Sequence, residues 1–236
     1  MVYGPGLRQL TARTITAGLH NPTRLAFDSL GNLYVANTAG NSITVYDPTL
    51  QQITAKTITA IITPLGIAVD AYGDVFVAEN SANDIKCFNV EGELVSTLSK
   101  DNSGRFFSAP GALAISAQDL YVGTGPTVGE NDVTSYNVGE FLTRNPKEIA
   151  TYTDLVNTGP TGIAFDSAGN VYISDFYSGT ATKYSPSGEL LLVIDNQTGS
   201  CEGIAVSGNG NIAVANQFSS TITIYSPDGT LLHTLR

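Results

Sequence analysis

An all-β fold, a β-propeller of about five four-stranded antiparallel blades, is predicted by three observations on this 236-residue sequence. The stretch PTGIAFDSAGNVYISD at 160–175 returns four times, as PTRLAFDSLGNLYVAN from Pro22, PLGIAVDAYGDVFVAE from Pro64, PGALAISAQDLYVGT from Pro110 and CEGIAVSGNGNIAVAN from Cys201. Each copy joins two apolar runs through a turn of Asp or Ser with Gly-Asn, Gly-Asp or Gln-Asp, and Gly and Asn tolerate the positive φ that short hairpin turns require. The residues before these turns, Phe27, Val69, Ile115, Phe165 and Val206, lie 42, 46, 50 and 41 positions apart, a period that fits propeller blades with several strands each.

Taken in order, the chain begins with the tail of a repeat, because residues 2–17 match residues 45–60. This orphan outer strand precedes the complete units, which run approximately over 21–62, 63–108, 109–158, 159–199 and 200–236 of a single domain. In the first unit strand a is expected at 23–28, b at 32–37, c at 42–46 and d at 54–60. Strand c alternates, with Ile43 and Val45 on one side and Thr44 and Tyr46 on the other, the period-two pattern of a pleated strand. An aromatic closes every c strand, and a turn containing Pro or Gly leads from each into d. No apolar stripe of helical period persists, so no helix longer than a turn or two is expected. Six d strands for five a strands leave three arrangements open: the first d strand clasps the last blade, it covers a blade edge as an extra strand, or the chain belongs to a longer array, with six-bladed closure as the alternative blade number.

Composition narrows the function classes. Apolar residues make up 42% and charged residues 14%, a balance suited to a packed core. Eleven Lys and Arg stand against 21 Asp and Glu, a net charge of −10, which opposes nucleic acid and anionic lipid. Neither a long apolar run nor a signal-peptide pattern occurs in the sequence. A monomer is expected, in an extracytoplasmic or secreted setting. Cys87 and Cys201 fall in different repeats and are expected as two free thiols rather than a disulfide.

Residues 162–175 resemble the NHL-repeat type of β-propeller, whose units run roughly Pro-x-Gly-Ile-Ala-x-Asp-x-x-Gly-Asn-x-Tyr-Val-Ala-Asp. The resemblance extends over nearly the whole chain and takes in the related gluconolactonase-like and virginiamycin B lyase-like propellers. It implies the fold; such propellers include protein-binding modules, sensor ectodomains, lyases and lactonases. This chain departs from the pattern at Arg24, where Gly is usual, and at Ser116 and Ser207, where Asp is usual.

In a propeller the b-to-c and d-to-a connections open on one face. The ends of the b strands supply Asn37, Glu79, Thr124, Asp175 and Asn216; the starts of the a strands supply Thr23 with Arg24, Leu65, Gly111, Thr161 and Glu202. Asn37, Glu79, Asp175, Glu202 and Asn216 form the candidate ligand-binding set, with oxygens of the kind that hold Ca²⁺ or another hard divalent cation. In the gluconolactonase-like relatives such a cation sits on the axis and polarises a substrate carbonyl. The competing reading is that these side chains accept backbone N–H groups in the turns. Asp28, Asp70 and Asp166 belong to the a-to-b turns on the opposite face and read as turn stabilisers. Two insertions, 99–109 and 123–131, open on the candidate face, and Arg105, Phe106 and Phe107 in the first are the candidate partner-binding residues, unless the Phe pair folds inward. No copy carries a catalytic signature. The expectation is a non-enzymatic module binding a protein or small polar ligand, with a metal-dependent lactonase or lyase, or an array without activity, as alternatives.

Overall fold

The computed structural model describes residues 15, 17–125, 133–142, 148–152, 159–196 and 200–236. Five antiparallel sheets follow one another along the chain and form a five-bladed β-propeller. Blade 1 contains β1 (Pro22–Phe27), β2 (Leu33–Asn37) and β3 (Ser42–Tyr46); blade 2 contains β4 (Pro64–Val69), β5 (Val75–Glu79), β6 (Asp84–Phe88) and β7 (Leu94–Leu98). Blade 3 contains β8 (Pro110–Ser116), β9 (Asp119–Thr124), β10 (Val133–Asn137) and β11 (Glu148–Tyr152), with a one-turn helix, α1 (Val138–Leu142), after β10. Blade 4 contains β12 (Pro160–Phe165), β13 (Val171–Asp175), β14 (Thr180–Tyr184) and β15 (Leu190–Asp195). Blade 5 contains β16 (Cys201–Val206), β17 (Ile212–Asn216), β18 (Thr221–Tyr225) and β19 (Leu231–Leu235).

The first hairpin of each blade is set by its turn. In blade 4 the Asp166 carboxylate accepts the N–H groups of Ala168 and Asn170, while Gly169 takes φ +79°, where a side chain would be strained. The second carboxylate oxygen receives Asn170 Nδ2 and the Tyr172 hydroxyl, with Lys183 Nζ at 3.4 Å. Burial pushes against ionisation here, yet these hydrogen bonds prevail and bring Asp166 down to about 2. Asp28 repeats the arrangement with Asn32 and Tyr34.

The expected strand at 54–60 is replaced. Thr54–Lys56 forms a 3₁₀ turn, and the outer position of blade 1 is held by two isolated bridges, Tyr46 to Gln52 and Ile43 to Ile58. Between those bridges six steps of the outer segment face three of β3, and the surplus is taken up in the turn. The orphan strand at 2–17 lies outside the described residues apart from Ile15 and Ala17, as does 126–131 of the second insertion.

Cores form between successive blades. Ala36, Ile43, Val45, Ile67, Val75, Val77 and Phe88 join blades 1 and 2; Phe76, Ile85, Cys87, Leu113, Leu120 and Val122 join blades 2 and 3. Tyr121, Val133, Val171 and Ile173 join blades 3 and 4, and Tyr172, Ala181, Cys201, Ile212 and Val214 join blades 4 and 5. Both cysteines are buried and free. Inner strands pack side by side, β1 on β4, β4 on β8, β8 on β12 and β12 on β16. The last approach is tight: a Cβ on Gly162 would lie 3.0 Å from Ile204 N and 3.2 Å from Gly203 Cα. No described helix is long and apolar enough to cross a membrane.

Candidate functional site

Each inner strand carries a β-bulge just after it begins, between Pro22 and Arg24, Pro64 and Gly66, Pro110 and Ala112, Pro160 and Gly162, and Cys201 and Gly203. The extra residue is Thr23, Leu65, Gly111, Thr161 or Glu202, the set named from the repeat alignment. A bulge takes its residue out of the ladder and re-aims the side chain. Three of these places meet at the axis through Arg24. Its guanidinium donates to Thr161 O at 2.8 Å and to Glu202 Oε2 at 3.1 Å, while Thr161 Oγ1 donates to Cys201 O at 2.6 Å. Below them a narrow cavity of about 150 Å³ is lined by Leu25, Ile67, Leu113, Ile163 and Ile204, one apolar residue from each inner strand.

The residues ending the b strands sit elsewhere. Asn37, Glu79, Asp175 and Asn216 are fully buried, each inside its own blade. Asn37 Oδ1 accepts His20 N at 2.9 Å, and its amide donates to Thr44 Oγ1 at 3.0 Å. Asp175 accepts Gly159 N at 2.6 Å on one oxygen and the N–H groups of Tyr177 and Ser178 on the other. Glu79 accepts Ile62 N and pairs with Lys86 at 2.9 Å. Asn216 is engaged by Asn196, Thr221 and Thr223. In four blades, then, the side chain ties the connection preceding strand a to the end of strand b.

This donor set does not fit a hard cation. The oxygens of Glu79 and Asp175 already accept N–H groups or face Lys86 Nζ, and Glu202 is matched by Arg24. Among the described residues no three His, Cys, Asp or Glu side chains are grouped as metal ligands would be. One titration stands out: burial, then the neighbouring Glu79 carboxylate, push Asp84 up to about 6.

The first insertion is a small hairpin, with Asp101 accepting the N–H groups of Ser103 and Arg105 and Lys100 bridged to Phe106. Its two Phe residues divide. Phe107 turns inward and meets Tyr136 edge-on at 5.7 Å, so it belongs to the core between blades 2 and 3; Phe106 is exposed, with Lys100 Nζ 5.9 Å from its ring centre. Arg105 Nη1 donates to Thr134 Oγ1 at 2.7 Å, bracing the hairpin on blade 3.

A feature the sequence reading missed lies on the same face. Phe176 and Tyr177 in the b-to-c turn of blade 4 and Phe218 in that of blade 5 form an aromatic patch, with Phe176 5.2 Å from Tyr177 and 5.6 Å from Phe218. Tyr177 is 62% and Phe218 73% exposed. The signal was present in DFYSG and NQFSS, where the equivalent turns of blades 1 and 2 read NTAGN and ENSAN.

No known family profile matches the sequence, and no curated protein matches it. Solved structures share the fold. Nidogen in a nidogen/laminin complex superposes with a TM-score of 0.73 at 16% identity, over 91% of this chain and 80% of that one. A catalytically inactive virginiamycin B lyase from Staphylococcus aureus with quinupristin gives 0.70 at 16% identity, over 94% and 71%. A gluconolactonase from Xanthomonas campestris gives 0.68 at 16% identity, over 91% and 75%. At such identities the likeness is one of fold.

Proposed function

We propose that the protein is a non-enzymatic binding module that engages a partner protein through the face formed by the b-to-c and d-to-a connections. The observation that carries this reading is the aromatic patch on that face, in which exposed Tyr177 and Phe218 flank the half-buried Phe176. Solvent-facing aromatics on loops braced by a rigid scaffold favour a partner contact, because they supply large contact area at small entropic cost. Buried anchors hold those loops: Asp175 binds both Gly159 and the turn carrying Tyr177. The nidogen neighbour, solved in a complex with laminin, is a precedent for this fold in protein binding. The use made of Glu79, Asp175 and Asn216 in bracing the loops favours binding over metal-assisted chemistry.

Photo-crosslinking tests the reading. A benzophenone side chain placed at Phe218 or Tyr177 is expected to capture a discrete partner from the native host, whereas one at Tyr72, exposed in the a-to-b turn on the opposite face, is expected to capture none. Equal capture at all three positions would overturn it. A second arm adds Ca²⁺, Mg²⁺ or Zn²⁺: a true site at about 100 times its Kd would stabilise the protein by about 2.7 kcal/mol, and no shift in Tm is expected.

A further inference from the structure

Blade 2 joins two acidic side chains where blades 1 and 5 place neutral ones. The last residue of β5 and the first of β6 are register partners, and they are Glu79 and Asp84. At the same rung Asn37 faces Ser42 in blade 1, and Asn216 faces Thr221 in blade 5. Glu79 is fully buried, and Asp84 Oδ1 is shut away from water with no hydrogen-bond partner. Ionised carboxylates only accept hydrogen bonds, so neither can satisfy the other until one of them carries a proton. The one cation facing the pair is Lys86, its Nζ 2.9 Å from Glu79 Oε2; β7 and residues 60–63, packed beside it, carry no titratable group. Two carboxylates and one ammonium leave a negative charge uncompensated in a partly desolvated place, and a single proton cancels it.

The pair is coupled to a backbone segment. Residues 60–63 connect blade 1 to blade 2 on the loop face, and three hydrogen bonds hold them: Ile62 N donates to Glu79 Oε1, Lys86 Nζ donates to Ala60 O at 2.8 Å, and Thr63 N donates to Asn41 Oδ1 at 2.7 Å. Two of the three come from the charged cluster. The segment is strained, because Thr63 has φ +44°, a left-handed conformation that a β-branched residue adopts only when its surroundings impose it. Asn21, Ala109 and Ser200 take the same conformation at the ends of other connections without a branched side chain. A strained connection held by a titratable cluster has two arrangements, and protonation biases one of them.

We propose that Glu79, Asp84 and Lys86 form a proton-operated latch on residues 60–63: a proton shared between the two carboxyl groups keeps the connection closed on blade 2, and its loss loosens it. With the proton in place the Asp84 carboxyl donates to Glu79, which keeps its bond from Ile62 N, and Lys86 stays on Ala60 O. Without it the carboxylates repel across the rung and compete for Lys86, which weakens the hold on Ala60 and Ile62. Burial first, then Glu79, raises Asp84 to about 6 in the closed form, and opening returns it toward 3.8. Closure therefore takes up a proton; it is fully supported below 3.8 and loses that support as pH rises through about 6. The latch lies on the loop face but does not depend on that face binding a partner.

Backbone amide exchange of the full chain at pH 5 and pH 7.5, corrected for the intrinsic pH dependence of exchange, tests the latch. Protection of the Ile62 amide is expected to fall severalfold, up to about tenfold, from the lower pH to the higher. Gly159 N–H, held in the same way by Asp175 with Thr180 in the place of Asp84, should stay level. Asp84→Asn, which keeps the shape and carries a donor at every pH, should hold Ile62 protected throughout, and Asp84→Ser, the residue of blade 1 at this place, should also abolish the pH response. Wild-type protection of Ile62 that is level with pH would overturn the proposal. So would a fall that survives both substitutions, or one shared equally by Gly159, since the loosening would then be general.

Discussion

Blades 2 and 5 are copies of one repeat with inner and middle strands paired in the same register, yet among the described residues blade 2 is sealed on both faces and blade 5 on one. The difference comes from position in the ring. Ile85 and Ile222 obey the same alternation, and only the neighbour present at Ile85 turns that pattern into a core. Alternation thus specifies which side of a strand is apolar, whereas burial depends on a second sheet.

The largest test of this contrast is truncation at the paired positions. Ile85→Ala should cost about 2–5 kcal/mol, the usual penalty for emptying a buried site, while Ile222→Ala should cost less than about 1 kcal/mol. Urea unfolding of both variants measures it, and equal losses would mean that the outer face of blade 5 is covered in solution.

Blade 2 also holds charges that blade 5 lacks. Asp84, where blade 5 has Thr221, is raised from 3.8 to about 6 in the folded state. Its protonated form favours folding, so that contribution is complete below 3.8 and lost as pH rises through about 6. Asp84→Asn should therefore stabilise by about 1 kcal/mol at pH 7.5, a figure reduced for solvent screening, with the gain vanishing near pH 4. Thermal unfolding of wild type and variant across that range gives the sign directly.

A comparable gain is expected from Asp74→Asn. In blades 1 and 4 the outer oxygen of the turn carboxylate receives an Asn amide and a Tyr hydroxyl, but in blade 2 those places are Asp74 and Phe76, and Asp70 Oδ2 is buried with no hydrogen bond. Burial and the nearby Asp70 charge raise Asp74 accordingly. Restoring the amide donor should add about 1 kcal/mol, and Asn170→Asp in blade 4 should lose a similar amount. The smallest effect belongs to the Arg24–Glu202 pair. A double-mutant cycle with Ala should give a coupling of about 0.2–1 kcal/mol; a much larger value would show that the axial pair, rather than sheet packing, holds blades 5 and 1 in place.

Most of the fold was legible because it is written five times. Strand c at Ser42–Tyr46 matched residue for residue, and Asp28 and Asp166 hold their turns as their repetition implied. The outer strand of blade 1 was misjudged because pairing needs matched lengths, and 52–58 carries more chain than β3 can pair with. The site was less legible. Repetition of Asn37, Glu79, Asp175 and Asn216 marked them as equivalent, but a repeated polar residue serves a brace as readily as a ligand. Their neighbours Tyr177 and Phe218 stand at places where the copies disagree, and an aromatic in a variable turn has no period to reveal it.

The bulges that open the inner strands bear on how such a protein changes over time. Thr23, Leu65, Gly111, Thr161 and Glu202 already comprise four residue types at five equivalent places while the ladders around them stay in register. A residue outside the ladder is free to be replaced without a register penalty. The axial end of this molecule is therefore a ring of five places whose side chains can be exchanged without shifting the register of the frame, two of them free of the Arg24 contacts that couple the other three.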